Sequence, residues 1–145
     1  MNLPVYVTIE EVRRVCQELK LSDWTKKTKP EVSEEEAAII LKEIDTGDMD
    51  VTLEDFRQGL EVELEHGIMF NEANVTNNHP VLTARIVLAH FKEMLDYYKR
   101  LDVAEIEGDI FKAVKAGKLE KLDRYHRKLA KAKKILADSE AGELG

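Results

Sequence analysis

The chain has 145 residues, of which 22 are basic and 29 acidic, and these give a formal net charge of −7. Hydrophobic residues make up 43% of the chain, so it is long enough for one domain with a core and too short for two large ones. No apolar run approaches the roughly 18 residues that a transmembrane helix needs. The N-terminus has neither the basic start nor the apolar stretch of a secretory signal. Cys16 is the single cysteine, which excludes an intramolecular disulfide and fits a reducing compartment.

Helix-start signals occur three times in the first half of the chain. Thr8 with Glu11, and Ser33 with Glu36, have the spacing of a capping box, and Thr52 stands before a third apolar pattern. Apolar residues recur after each signal at the spacing of a helix with one buried face. The predicted buried residues are Val12, Val15, Cys16 and Leu19, then Ala37, Ile40, Leu41 and Ile44, then Leu53, Phe56, Leu60 and Leu64. The polar segment between the first two helices is predicted to be a loop anchored by Trp24.

Proline and glycine positions mark the remaining helices. Gly67 is placed to end the third helix. Pro80 suits the first position of a fourth helix, which we expect to run to about Leu101 and to be capped by the asparagines before it. Two amphipathic stretches follow, at about 103–116 and 118–138, and they are separated at Gly117.

These signals predict an all-α fold, a compact bundle of five to six helices around an antiparallel pair formed by the third and fourth helices. We expect a core at 1–101, which comprises N-terminal helices in 1–50 and the helix pair in 51–101. A basic amphipathic helical arm should occupy 102–138, and a flexible tail 139–145.

Three sequence segments in 51–101 carry a resemblance: GLEVELEHG, NVTNNHP and LAHFKEMLDYYKRL. In this order and spacing the chain resembles a small, functionally uncharacterised domain family of bacteria and tailed bacteriophages. In that family's pattern an acidic residue precedes the proline, and this chain has His79 there. The resemblance implies a phage or prophage origin and brings no activity with it. A virion-associated protein, or a cytoplasmic one, is therefore the expectation.

One constellation could carry chemistry. Glu63 and His66 lie three residues apart on the third helix, and His90 and Glu93 lie three apart on the fourth, so each pair shares a helix face. Antiparallel packing of the two helices would place one pair opposite the other. Ionisable groups on an apolar stripe must be paired or coordinated, because burying them bare costs several kcal/mol.

Two interpretations of these four residues stay open. Two carboxylates and two imidazoles form a ligand set for Fe, Mn or Zn, with Glu61 or Glu65 as a candidate bridge. Alternatively, His66 is a histidine at a helix C-terminus, and His90 with Glu93 is a hydrogen-bonded pair in the core. The second interpretation is the one we favour from the sequence.

Charge is distributed unevenly along the chain. Residues 31–72 hold 14 acidic and 2 basic residues, whereas residues 112–134 hold 10 basic and 2 acidic. An apolar stripe in the arm predicts a buried or interface face that consists of Leu119, Leu122, Leu129 and Leu136. A separate face is basic and consists of Lys121, Arg124, Lys128 and Lys131. That face could be solvated, meet the acidic segment of this chain or of a second copy, or contact a nucleic-acid backbone.

The sequence therefore favours a non-enzymatic accessory or structural protein. It would act through contacts with other protein subunits and through self-association as a homo-oligomer or larger assembly, with the leucine stripe as the interface. The metal-carboxylate protein is the first alternative, and nucleic-acid binding by the basic face is the second. We expect no membrane partner.

Overall fold

The structure is a computed structural model, and it describes residues 4–145. All regular secondary structure in this range is helical, which confirms the predicted all-α fold. The six α-helices are α1 Ile9–Glu18, α2 Glu34–Leu41, α3 Leu53–Met69, α4 Pro80–Glu93, α5 Tyr97–Lys115 and α6 Leu122–Leu144. The chain divides into two compact units, the first ending at Glu93 and the second spanning Met94–Gly145. Within 4–145, no helix combines the length and apolar character that a membrane crossing requires.

The three predicted N-caps are confirmed. Thr8 accepts the amide N–H of Glu11 at 3.1 Å, and Ser33 accepts that of Glu36 at 3.2 Å. Thr52 accepts the N–H of Asp55 at 3.1 Å. Each bond satisfies one of the amide groups that a helix leaves unpaired at its start, and such a cap contributes about 1 kcal/mol.

The core of the first unit is built on α3. Helices α2 and α4 both pack against α3, and α1 packs against α4. Burial of each large apolar side chain contributes about 1.5–3 kcal/mol. Trp24 is fully buried, as predicted for the anchor of its loop. Cys16 is also buried and packs as a small hydrophobic side chain, and its burial raises the pKa of the thiol. The core side chains are Val12, Val15, Cys16, Trp24, Val32, Ala37, Ile40, Phe56, Leu60, Leu64, Ala84, Val87 and Phe91.

Glu36 fastens the loop between α1 and α2. Its Oε1 accepts the backbone N–H of Ser22 at 2.7 Å and the Ser22 hydroxyl at 2.6 Å, and its Oε2 lies 3.3 Å from Lys27 Nζ. Burial acts to raise the pKa of Glu36, but these bonds together lower it below its ordinary value. Lys27 also lies over the Trp24 ring, 5.6 Å from its centroid. The carboxylate thus holds the loop that carries the buried tryptophan.

His79, rather than an asparagine, caps α4. Its Nδ1 accepts the N–H of Leu82 at 3.3 Å, and its carbonyl accepts the N–H of Thr83 at 2.9 Å. The predicted cap by the asparagines is therefore wrong. Asn77 and Asn78 instead have positive φ angles of 48° and 59°, a conformation that asparagine tolerates better than most residues.

Three helix boundaries differ from the sequence expectation. Helix α3 continues past Gly67 to Met69, and α6 continues through the predicted tail to Leu144. Helix α4 ends at Glu93 and not near Leu101, because a new helix starts after Asp96. The Asp96 carboxylate binds Arg100 through two bonds of 2.9 and 2.6 Å, and its carbonyl accepts the N–H of Arg100.

The second unit is a hairpin of α5 and α6. Ile106 and Ala113 of α5 are buried, as is Ala132 of α6, and the two helices pack against each other. Two ion pairs join them, Lys133 with Glu107 at 3.0 Å and Arg100 with Glu140 at 2.8 Å. Leu122, Leu129 and Leu136 are half-buried and share the helix face of Ala132, whereas Leu119 is exposed.

The cap on α4 makes stability depend on pH. Burial lowers the pKa of His79, with a smaller opposing effect of Glu11 and a smaller reinforcing effect of Arg14 and Arg85. Below the unfolded-state value of about 6.5, the unfolded chain takes up a proton at this residue before the folded chain does, so the free energy of unfolding falls as the pH falls through the folded-state pKa.

His79→Asn keeps a capping oxygen but does not titrate, so we expect its chemical denaturation midpoint to fall less than that of the parent protein between about pH 7.5 and 5. Parallel pH profiles of the two proteins would contradict this account.

Candidate functional site

Glu63 lies between His66 and His90, the two histidines predicted from the sequence as candidate site residues. Its Oε1 is 3.5 Å from His90 Nε2, and its Oε2 is 4.0 Å from His66 Nδ1. Helices α3 and α4 run antiparallel here, since His66 shares a cleft with Thr83 at the start of α4, while Glu63 meets His90 near its end. The Glu63 side chain is 14% exposed. The structure therefore places the predicted residues of the two helices together.

The His90 imidazole has a carboxylate near each of its nitrogens. Glu63 approaches Nε2, and Glu93 approaches Nδ1 at 3.8 Å from the opposite edge of the ring. A metal ion bound at one nitrogen could therefore not have both carboxylates as neighbours in its coordination sphere. The predicted four-ligand set is not a single preformed metal site. Within residues 4–145, no three histidine, cysteine, aspartate or glutamate side chains converge in an arrangement that would hold a metal ion.

Glu61 and Glu65, the predicted bridging ligands, face a different part of the molecule. Glu61 Oε1 accepts the backbone N–H of Val32 at 3.0 Å and lies 3.4 Å from Arg57 Nη1. Both glutamates line a separate surface depression beside Lys29. On a helix, residues two apart from Glu63 point to another side, so neither carboxylate lies with Glu63, His66 and His90 in this structure.

A cleft of about 220 Å³ opens beside Glu63 and His66. Its walls combine polar groups with apolar side chains that remain accessible, such as Phe70 and Val75. The His66 and Phe70 rings lie 6.5 Å apart, centroid to centroid. A concave site with a few polar groups and apolar walls suits the binding of a small group or a side chain. The full lining is Glu63, His66, Gly67, Phe70, Ala73, Asn74, Val75, Thr76, Thr83 and Ile86.

A side-chain clasp at Gly67 forms part of the wall of this cleft. Asn74 Nδ2 donates to the Gly67 carbonyl at 3.0 Å and to Asn78 Oδ1 at 2.8 Å. A Cβ atom at Gly67 would lie 2.2 Å from Asn78 Oδ1 and 3.0 Å from Asn74 Nδ2. The loop can therefore lie against α3 only because residue 67 has no side chain.

The contacts of Asn74 with Gly67 and Asn78 were not predicted from the sequence. Gly67 was assigned to the end of α3, although the glycine lies inside the helix. The run of asparagines in NVTNNHP was the available signal, because asparagine amides bind backbone groups in turns. The hydrogen-bond partner of Asn74 could not be predicted, because it is a backbone carbonyl seven residues earlier, within α3.

The sequence model of a family described as "protein of unknown function (DUF5661)" matches residues 12–107. The matched range extends beyond the stretch 51–101 on which the sequence resemblance rested, and it contains every residue that lines the cleft. It ends before α6 begins. No curated protein and no solved structure matches the chain.

The clasp predicts opposite outcomes for two helical glycines. Gly67→Ala should lower the free energy of unfolding by about 1 kcal/mol, because the new methyl group displaces Asn78 and weakens the Asn74 bonds. Gly108→Ala is the matched control in α5. Nothing lies within 4 Å of its added Cβ, so it should stabilise the protein by about 0.5–1 kcal/mol. Equal effects in urea denaturation would contradict the role of the clasp.

Proposed function

The chain belongs to the DUF5661 family of proteins of unknown function, and from this premise we propose that it is a non-enzymatic accessory or structural protein. It acts through protein–protein contacts and self-association, and the sequence resemblance supports a phage or prophage setting. The surface that mediates these contacts is the turn end of the α5–α6 hairpin, where α5 ends and α6 begins.

Exposed apolar side chains at this end carry the proposal. Phe111 and Val114 lie one helical turn apart on α5 and are 67% and 53% exposed, and Leu119 follows in the turn with 61%. Large apolar side chains grouped on a surface favour burial against a partner. Each contact that removes them from water gains about 25 cal/mol per Å² of apolar area.

The interface we propose differs from the predicted leucine stripe. Leu122, Leu129 and Leu136 are half-buried on the α6 face that includes buried Ala132, so part of their apolar area is already covered within the hairpin. Leu119 is the member of the predicted set that remains exposed. The interface residues are therefore Phe111, Val114 and Leu119.

Phe111→Asp combined with Val114→Asp should lower the mass measured by light scattering after size exclusion toward the 16.6 kDa of one chain, with helical ellipticity unchanged. Leu122→Asp combined with Leu129→Asp should instead reduce ellipticity, because buried carboxylates cost several kcal/mol. A parent protein with the mass of a single chain at every concentration would overturn self-association.

A second candidate function is metal-carboxylate binding in the cleft. The observation that favours it is the position of Glu63, whose two oxygens face His66 and His90. With small side-chain movements, these three residues offer one carboxylate and two imidazoles to Fe, Mn or Zn. Glu93 would act on the other nitrogen of His90, where a carboxylate orients a ligating imidazole.

Elemental analysis of protein purified without a metal-affinity step tests this candidate. About 0.5–1 equivalent of metal in the parent protein, absent from His90→Ala, is the expected result. Added Zn²⁺ or Mn²⁺ should raise the melting temperature of the parent protein but not that of His90→Ala, because a ligand that binds the native state stabilises it. His126→Ala, at an exposed position on α6, is the matched control. Metal-free protein with an unshifted melting temperature would overturn the candidate.

A further inference from the structure

The basic side chains of α6 fall into two groups. Arg127 pairs with Asp123 at 2.9 Å, Lys134 with Asp138 at 2.6 Å, and Lys133 with Glu107 at 3.0 Å. The other basic side chains of residues 121–134 form a basic face, and no carboxylate of residues 94–145 lies within ion-pair distance of them. This basic face consists of Lys121, Arg124, Lys128 and Lys131.

The spacing of the basic face makes it one continuous surface. Its members follow one another at intervals of three, four and three residues, so they share a side of the helix. Arg124, Lys128 and Lys131 are exposed, and Ile135, 44% exposed, continues the same side one turn further on. A cationic stripe with an apolar side chain at its end is suited to a protein surface of opposite charge.

The first unit carries a surface of that opposite charge in the loop between α2 and α3. This acidic loop, residues 42–52, exposes Glu43, Asp45, Asp48 and Asp50. None of these four has a basic group at ion-pair distance among residues 4–93. The loop is shaped by a turn in which Asp45 Oδ1 accepts the N–H of Gly47 at 2.9 Å, and Gly47 has a φ of +57°.

We propose that the acidic loop of one copy of the chain binds the basic face of α6 in a second copy. Residues 1–93 contain 10 basic and 19 acidic side chains, whereas residues 94–145 contain 12 basic and 10 acidic, so the two units differ in the sign of their net charge. Opposite charges accelerate the encounter of two proteins and fix their orientation. The inference rests on the proposed self-association and names its charged contact.

The contact joins two different surfaces, so it is heterologous. Each copy offers one loop and one basic face, and a repeated contact of this kind closes into a ring or extends as a filament. Association should therefore depend on protein concentration and weaken with salt, because screening at high ionic strength reduces attraction between exposed charges.

Sedimentation velocity at about 50 mM and about 500 mM NaCl gives the first test, since the Debye length falls to a few ångströms over this range. Two charge-reversed proteins give the second test: Lys128→Glu with Lys131→Glu, and Asp48→Lys with Asp50→Lys. Each alone should lose at least tenfold in association at low salt. Mixing them should restore it, because the loop of each then meets a face of opposite charge.

Lys26→Glu with Lys29→Glu is the matched control, since it changes the net charge equally at side chains of the first unit that are 74% and 75% exposed and lie outside the acidic loop, and it should affect association less. Failure of the mixture to recover association would overturn the inference. Salt-independent association that is lost only in Phe111→Asp with Val114→Asp would overturn it while leaving the proposed function intact. Binding of a fluorescent DNA duplex that Lys128→Glu with Lys131→Glu abolishes, without any change in mass, would assign the basic face to nucleic acid instead.

Discussion

The side-chain amide of Asn74 holds the first unit in the form on which its cleft depends. It donates to the Gly67 carbonyl and to Asn78 Oδ1, and so fixes residues 74–78 against α3. In this arrangement the Asn77 side chain donates to the carbonyl of Val7 at 2.6 Å. His79 follows and caps α4 by accepting the N–H of Leu82. A hydrogen bond of this kind contributes about 1 kcal/mol by itself. Its structural effect is larger, because it sets where α4 begins relative to Glu63 and His66.

Features that depend on local chain geometry could be predicted from the sequence. The caps at Thr8, Ser33 and Thr52 need only a hydroxyl three residues before an amide, and all three are present. The meeting of Glu63 with His90 also followed from spacing, because residues three apart share a helix face and a connection of about a dozen residues allows two helices to pack antiparallel. In both cases the spacing of residues along the chain determines which groups can meet.

Features that depend on a distant partner could not be predicted. Glu61 looked like a metal ligand, yet its partner is the backbone N–H of Val32, 29 residues away. The leucine stripe of α6 is half-buried, and a helical stripe alone does not say how much of it α5 or another molecule covers. Asp96 interrupted a long apolar pattern, and its pairing with Arg100 started a new helix where a continuous one was expected. For Glu61 the partner is far away in the sequence, whereas the Asp96–Arg100 pair is local and is hidden within the apolar pattern.

Nuclear magnetic resonance of the parent protein tests the central claim most directly, namely that the clasp positions the loop on α3. The Asn74 side-chain amide protons should show strong nuclear Overhauser contacts to the Gly67 α-protons, since the amide nitrogen lies 3.0 Å from the Gly67 carbonyl oxygen and 3.0 Å from the place a Cβ would occupy. They should also exchange slowly with solvent. Averaged, rapidly exchanging Asn74 amide signals with no contact to Gly67 would contradict the account.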